Sequence, residues 1–316
     1  MSTMEPPLET LEPSATSTTV EASHQYHAEA HALSGYLHHP VYQRINEKAN
    51  VSLKDYRDGH VQERENAFTL EGVVSFTSGR SRVSGNRNLK NKGWITVATS
   101  VLEGFNVLEV ISADRVVSQV STEHAYRDGH VPTVTFLGSQ FVNLRLSGFL
   151  LEPTFNFGIC EDKPDGETPY VKHLGFLRGV RDQVAVVAQG ELPIEVRDTY
   201  SDRLKVIDDL IMAAEEREGC SQNGTPVDPI VVTCSLITKI NVDHIPIPGL
   251  KTAGNVLFIP EFGSVALGEI EVRSSRNHDG KYDNYFNLKM LDMKMGCIGN
   301  GAITVGDTVG NGQHHP

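Results

Sequence analysis

Asp-Gly and Asn-Gly pairs recur seven times in this 316-residue chain, at Asp58-Gly59, Asp128-Gly129, Asp165-Gly166, Asn223-Gly224, Asp279-Gly280, Asn300-Gly301 and Asn311-Gly312. Both residues tolerate positive φ, which a type I′ hairpin needs at its two central positions. Short β-branched runs flank most of the pairs, so the chain reads as antiparallel β-structure. Strand patterns are expected over His24–Leu37, Phe68–Thr77, Trp94–Val101, Phe105–Ser112, Arg115–Thr122 and Thr133–Phe136. Another runs from Phe141 to Leu150, where Phe141, Asn143, Arg145 and Ser147 alternate with Val142, Leu144, Leu146 and Gly148. That period of two marks a strand with one dry face.

Residues 1–22 are rich in Pro, Ser and Thr and read as a disordered arm, too polar to offset their ordering entropy. The middle of the chain changes period. Ser201 or Asp202 is placed to cap a helix ending near Gly219, with Leu204, Ile207, Leu210, Ile211 and Ala214 as its apolar stripe. A weaker helical pattern begins near Pro169 and includes Val171, Leu174 and Leu177. Strands resume at Ile230–Ile240, Asn255–Pro260, Val265–Val272, Tyr285–Met290 and Ala302–Val305, while Pro246 and Pro248 make 244–249 a loop or edge. The order implies an antiparallel β-sandwich with a helical insertion, with a β-barrel as the alternative. Its parts are a β-rich region (23–160), a helical or loop insertion (161–225) and a β-rich region completing the same domain (226–316).

A net charge of −12 disfavours nucleic acid and anionic membrane as general partners. No run approaches the ~18 apolar residues of a membrane helix. The N-terminal residues carry no basic start followed by an apolar run, so the default compartment is the cytoplasm. Cys160, Cys220, Cys234 and Cys297 are scattered without a C-x-x-C pair, which points to buried thiols.

Three constellations carry chemistry. His24, His27, Glu29 and His31 are the candidate ligands of a divalent metal, since alternation puts His27, Glu29 and His31 on one strand face. Positions 27 and 31 are ~13 Å apart on a straight strand, too far to share one ion. Glu123, His124 and Asp114 are candidate acid–base groups, although adjacent strand residues point to opposite faces. Arg80, Arg82, Arg87, Lys90 and Lys92, just before Trp94, form the one basic island of an acidic chain. They are candidates for holding a phosphate or sulfate, with Trp94 as a stacking platform; the plainer reading is a solvated hairpin loop. Tyr-Arg-Asp-Gly-His-Val also occurs twice, at 56–61 and 126–131, and reads as two similar turns with Tyr and Val tucked inward.

Ser112-Ala113-Asp114 is followed by alternating small and β-branched residues, then by Thr135-Phe136-Leu137, Val142-Asn143-Leu144 and Ser147-Gly148. With Phe262-Gly263, Leu267-Gly268-Glu269 and Asn311-Gly312, these passages resemble the choice-of-anchor type P proteins, a β-rich bacterial group. The resemblance implies a non-catalytic surface or assembly protein, displayed or secreted, with no catalytic residues to carry over.

The resulting expectation is a non-enzymatic binding or assembly protein with loops on a rigid β scaffold, self-associating or meeting a protein or glycan partner. A metal- or histidine-dependent enzyme acting on a small polar substrate is the second reading. A small-ligand carrier with a pocket inside the scaffold is the third.

Overall fold

In the computed structural model, residues 23–39, 42–88, 90, 93–126, 131–219, 229–276, 280–296 and 301–315 are described. The N-terminal part supplies β1 (Ser23–Leu37), β2 (Gln43–Lys48), β3 (Val51–Asp55), β4 (Gly59–Glu65), β5 (Phe68–Leu70), β6 (Val74–Phe76) and β7 (Ser78–Asn88). Next come the long β8 (Gly93–Val107) and β9 (Ile111–Ala125), and the short β10 (Thr133–Thr135), β11 (Gln140–Val142), β12 (Arg145–Leu146), β13 (Phe149–Leu150) and β14 (Glu152–Phe155). Helices α1 (Leu174–Ala188) and α2 (Ile194–Gly219) follow. The chain then makes β15 (Ile230–Ser235), β16 (Ile237–Asn241), β17 (Lys251–Ala253), β18 (Val256–Ile259), β19 (Gly263–Arg276), β20 (Tyr282–Met295) and β21 (Gly301–His315).

Two large antiparallel sheets and a small two-stranded one, β14-β16, result, as the turn-and-strand pattern predicts. The first runs β17-β18-β19-β20-β21-β1-β2, with β15 also on β19 and β3 also on β1. The second is centred on β8 and β9, with β7 and β4 beyond β8 and β12 and β13 beyond β9. Neither sheet closes on itself among the described residues, so the barrel alternative does not hold. The sheets stack through β1, β20 and β21 against β7, β8 and β9.

The packing between them changes along the strands. At one end Leu33, Leu37, Phe76, Leu102, Phe105 and Ile111 make an aliphatic and aromatic core. Further along, the inward residues are small: Ala28, Ala30, Ala98, Ser100 and Ser118. Ser100 Oγ donates to the backbone carbonyl of His31 at 3.0 Å, and Ser118 Oγ lies 2.7 Å from Thr308 Oγ1. A serine side chain reaches a facing backbone only when the sheets come close, which these small residues permit. Gly85 belongs to the same seam. Tyr26 packs flat on it, and a methyl at Gly85 would lie 2.3 Å from Tyr26 Cγ.

Several expected strand limits move, each for a local reason. The three runs between Trp94 and Thr122 are two long strands joined at Leu108 and Glu109, both with positive φ (52° and 55°). No glycine announces that turn; Asn106 Oδ1 stabilises it by accepting from the Glu109 amide at 2.9 Å. The expected strand Phe141–Leu150 is broken into β11, β12 and β13, because Asn143, Ser147 and Gly148 adopt positive φ. The run Ile230–Ile240 is two strands, β15 pairing in the first sheet and β16 with β14. Asn311-Gly312 lies inside β21, paired with His27 and Tyr26, and is no turn.

The helices fill the gap between β14 and β15. α2 starts at Ile194, earlier than Ser201, because the Pro193 carbonyl accepts from Val196 and Arg197 and opens the helix there. Helix α1 starts at Leu174, after a 3₁₀ turn over Tyr170–Lys172, and buries Phe176, Leu177, Val180, Val184 and Val187. Gln183 of α1 accepts from the Ser235 amide at 3.1 Å and donates to the Ser235 carbonyl at 3.2 Å, which caps the end of β15. Arg203 of α2 makes two bonds to Glu269 of β19, at 2.8 and 3.4 Å, and fastens the helix to the sheet.

Candidate anion-binding site

Along β7 the inward positions are Gly79, Ser81, Val83 and Gly85, and Arg80 and Arg82 point outward between them. The basic island is therefore largely a strand, not the expected loop. β4 pairs with β7 so that Arg64 faces Arg80, Gln62 faces Arg82 and His60 faces Ser84. All three arginines are exposed and line one open hollow of about 400 Å³ floored by Thr99 and Val101. Arg82 Nε donates to His60 Nδ1 at 3.1 Å, which requires a lone pair on that nitrogen.

Like charges directly opposite on a strand pair destabilise it. Two guanidiniums ~6 Å apart repel by about 0.7 kcal/mol even at the dielectric of water. Neither Arg64, Arg80 nor Arg82 sits in an ion pair among the described residues. Glu103 feels the charge of Arg80, but its carboxylate is held below the usual range first by the Ser78 hydroxyl and then by Arg115. Three guanidinium forks outnumber the one carboxylate that lines the hollow, Glu63, and suit the oxygens of an anion.

The remaining members of the island do not join them. Arg87 lies near Tyr26, and the Lys90 amide donates to Asn88 Oδ1 in the turn beyond β7. Lys92 is outside the described residues. Trp94 is 4% exposed and cannot be a surface platform. Its ring stacks on His24 instead, centroids 4.9 Å apart and planes 11° from parallel.

His24 thus separates from the histidines with which the sequence groups it. It points inward beside Tyr26 and is 4.9 Å from the His124 ring, whereas His27, Glu29 and His31 face outward. His124 is buried, and Glu123 on the opposite face accepts from Asn88 Nδ2 at 3.0 Å. Asp114 sits at the far end of β9, where Asn143 and Arg145 hold its carboxyl below the usual carboxylate range. Glu123, His124 and Asp114 therefore share no reaction centre.

On the outer face of the first sheet, His27 Nε2 lies 3.1 Å from Glu29 Oε1, and Lys54 lies 3.5 Å from the same oxygen. Burial holds the His27 imidazole below its ordinary pKa. Burial would raise Glu29, yet the His27 bond and Lys54 together keep it low. His31 Nε2 lies 2.9 Å from Ser34 Oγ and 3.9 Å from Asp307 Oδ2. A Ser-His-Asp relay needs the serine and the carboxylate on opposite ring nitrogens. Here both meet Nε2, so the trio is not a relay. Among the described residues no group of three or more His, Cys, Asp or Glu is placed to hold a metal ion.

The first hexapeptide lies at the β3–β4 connection, where Asp58 accepts from the buried Tyr26 hydroxyl at 2.7 Å. Tyr56 and Val61 are exposed and not tucked inward; Asp58 is exposed as well and meets the core only through its bond to Tyr26. In the second copy Val131 is buried, and Arg127–His130 lie outside the described residues. Cys160 and Cys234 are buried free thiols, with burial pushing Cys160 up to about 12. No described helix is long and apolar enough to cross a membrane.

Arg64 is the site residue that sequence reasoning missed. It sits in the mixed-charge run Gln62-Glu63-Arg64-Glu65 and reaches Arg80 only through the strand register.

Two open antiparallel sheets with a helical insertion define the chain as a β-sandwich protein. Residues 24–273 match the family model for DUF8256, a domain of unknown function, and the chain belongs to that family. No curated protein and no solved structure matches it.

Proposed function

We propose that this is a non-enzymatic binding protein whose β4–β7 face receives the sulfate or phosphate groups of a polyanionic ligand. The observation that carries the reading is Arg64 opposite Arg80 with Arg82 beside them, an arrangement that an anion relieves. Arg80 and Arg82 are roughly 7 Å apart along the strand. That spacing favours an extended ligand with repeated charges over one small ion. The contacts come from strand faces and not from long loops. The likeness to choice-of-anchor type P passages supports a binding role, and the arrangement of Ser34, His31 and Asp307 offers a hydrolytic reading little support.

Titration calorimetry at low salt, with a heparin-derived oligosaccharide in one arm and short-chain polyphosphate in the other, tests this and distinguishes the two sources. One arm should show binding that weakens as salt rises. Arg80→Ser with Arg82→Ser should lower the association constant by about tenfold or more, since each charge-assisted bond contributes about 1.5–3 kcal/mol. Binding in neither arm, or undiminished binding by the double variant, overturns the proposal.

A further inference from the structure

A second surface, on the opposite sheet, has different chemistry. A groove of about 770 Å³ lies over the outer face of β1, β2 and the adjoining end of β21. That volume falls within the range of small-molecule sites. Along one side run three aromatic rings in sequence. The Tyr36 and His38 centroids are 5.0 Å apart, and those of His38 and Tyr42 are 5.3 Å apart. Tyr42 is 83% exposed and Tyr36 48%. Single exposed aromatics are common on protein surfaces, but three in contact beside a groove, with planes inclined at 61° and 38° to one another, form a stepped aromatic shelf.

The rest of the groove is polar. Gln43, Asn46 and Asn50 bring planar amides, Ser34 and Thr304 bring hydroxyls, and Arg44 and Glu47 bring one charge of each sign. Glu47 already accepts from Asn50 Nδ2 at 2.6 Å, so one of its oxygens is engaged within the protein. Thr304 lies 3.4 Å from the half-buried Asp292, and Asp307 also feels Glu47. This acidic surrounding disfavours an anion, unlike the arginine face.

We infer that this groove binds a neutral carbohydrate. A pyranose ring has an apolar C–H face that packs on an aromatic shelf. Its vicinal hydroxyls both donate and accept, which matches side-chain amides carrying a donor and an acceptor in one plane. Tyrosines present such a shelf with little rotamer entropy to lose. The groove's position follows from the fold. Gly35 faces Ile45 on one side and Ile303 on the other, which brings Tyr36, Arg44 and Ala302 into one row.

Short neutral gluco-, manno- and galacto-oligosaccharides printed as an array, followed by titration calorimetry of whichever is retained, test the inference on the full chain. At least one should be retained. Tyr36→Ala with Tyr42→Ala should weaken it about tenfold or more, and Asn46→Ala with Gln43→Ala should weaken it as well. Both tyrosines are exposed, so an unchanged melting temperature is expected and separates lost binding from lost fold. Arg80→Ser with Arg82→Ser should leave carbohydrate binding unchanged, which keeps this site's outcome apart from that of the arginine face. Retention of none of the neutral oligosaccharides overturns the inference. So does retention undiminished in both the tyrosine and the amide variants.

Discussion

Tyr26 has no freedom to accommodate change around it. Its ring is 1% exposed, its hydroxyl donates to Asp58, and its face rests on Gly85. Burial first and the bond to Asp58 second push its phenol above the usual range, so the ring stays neutral and its proton stays on the bond. Gly85→Ala puts a methyl inside van der Waals contact of that ring, and the anchored tyrosine cannot swing aside. The expected loss is about 1–3 kcal/mol, the range for overpacked cores. It should be read as a lower urea midpoint with an unchanged slope; a variant as stable as the parent would show that the sheets can part at this seam. The same scale shows what the sequence makes legible. Arg80 and Arg82 could be found because they are neighbours on one strand. Their partner Arg64 could not, since it is hidden among Glu63 and Glu65 until the register is known. Trp94 misled because a basic neighbourhood says nothing about burial, which here is decided by His24 arriving from β1.

At the scale of the strand, the departure from simple alternation is itself ordered. Consecutive buried residues interrupt the period at the doublets Ala32-Leu33, Leu267-Gly268, Met290-Leu291 and Val305-Gly306, the last continuing into Asp307 and Thr308. Register places these doublets side by side across β19, β20, β21 and β1, with Gly268 and Gly306 at positive φ (60° and 62°). The strands therefore kink together, and the outward residues shift by one beyond the kink. That shift sets Ser34 on the same face as His31 and Asp292 on the same face as Lys289. The sequence makes the strands legible but not the kink, because a doublet of apolar residues equally well signals a strand end. The kink line also orders charge: Glu269, Lys289, Asp307 and His31 are successive cross-strand neighbours. Asp307 is buried among them, and burial raises its carboxyl above the ordinary range despite the pull of His31 and Lys289. A raised carboxyl favours the protonated folded state. Its contribution is therefore most favourable below the unfolded pKa and is lost as pH rises through the folded one. Asp307→Asn should consequently stabilise the protein above neutral pH, with the gain shrinking toward acid. Urea unfolding of both proteins across that range measures it. A gain that does not vary with pH would mean that the charge of Asp307 is compensated, chiefly by His31 and Lys289.

For the molecule as a whole, the decisive feature is that β1 and β21 lie side by side in the middle of the first sheet. They pair from Ser23 opposite His315 to Leu37 opposite Gly301. β20 and β21 therefore fill the space between β19 and β1, yet both follow the segment that matches the DUF8256 family, which ends at residue 273. A chain stopped after Arg276 would keep that segment and split the first sheet in two. It would lose Phe286, Leu288, Met290, Leu291, Met293, Ile303 and Val305, all of them 0% exposed. At about 1.5–3 kcal/mol for each buried side chain, the loss is about 10 to 20 kcal/mol. A domain's entire stability is about 5–15 kcal/mol. The shortened chain should accordingly show no cooperative thermal transition, and its open β1 and β19 edges should make it aggregate. Circular dichroism melts and light scattering of residues 23–276 beside the full chain decide the matter. A sharp transition close to that of the intact protein would show that the second sheet and the helices carry the fold without β20 and β21. The inter-sheet bond of Ser118 to Thr308 would then be a consequence of folding and not part of its cause.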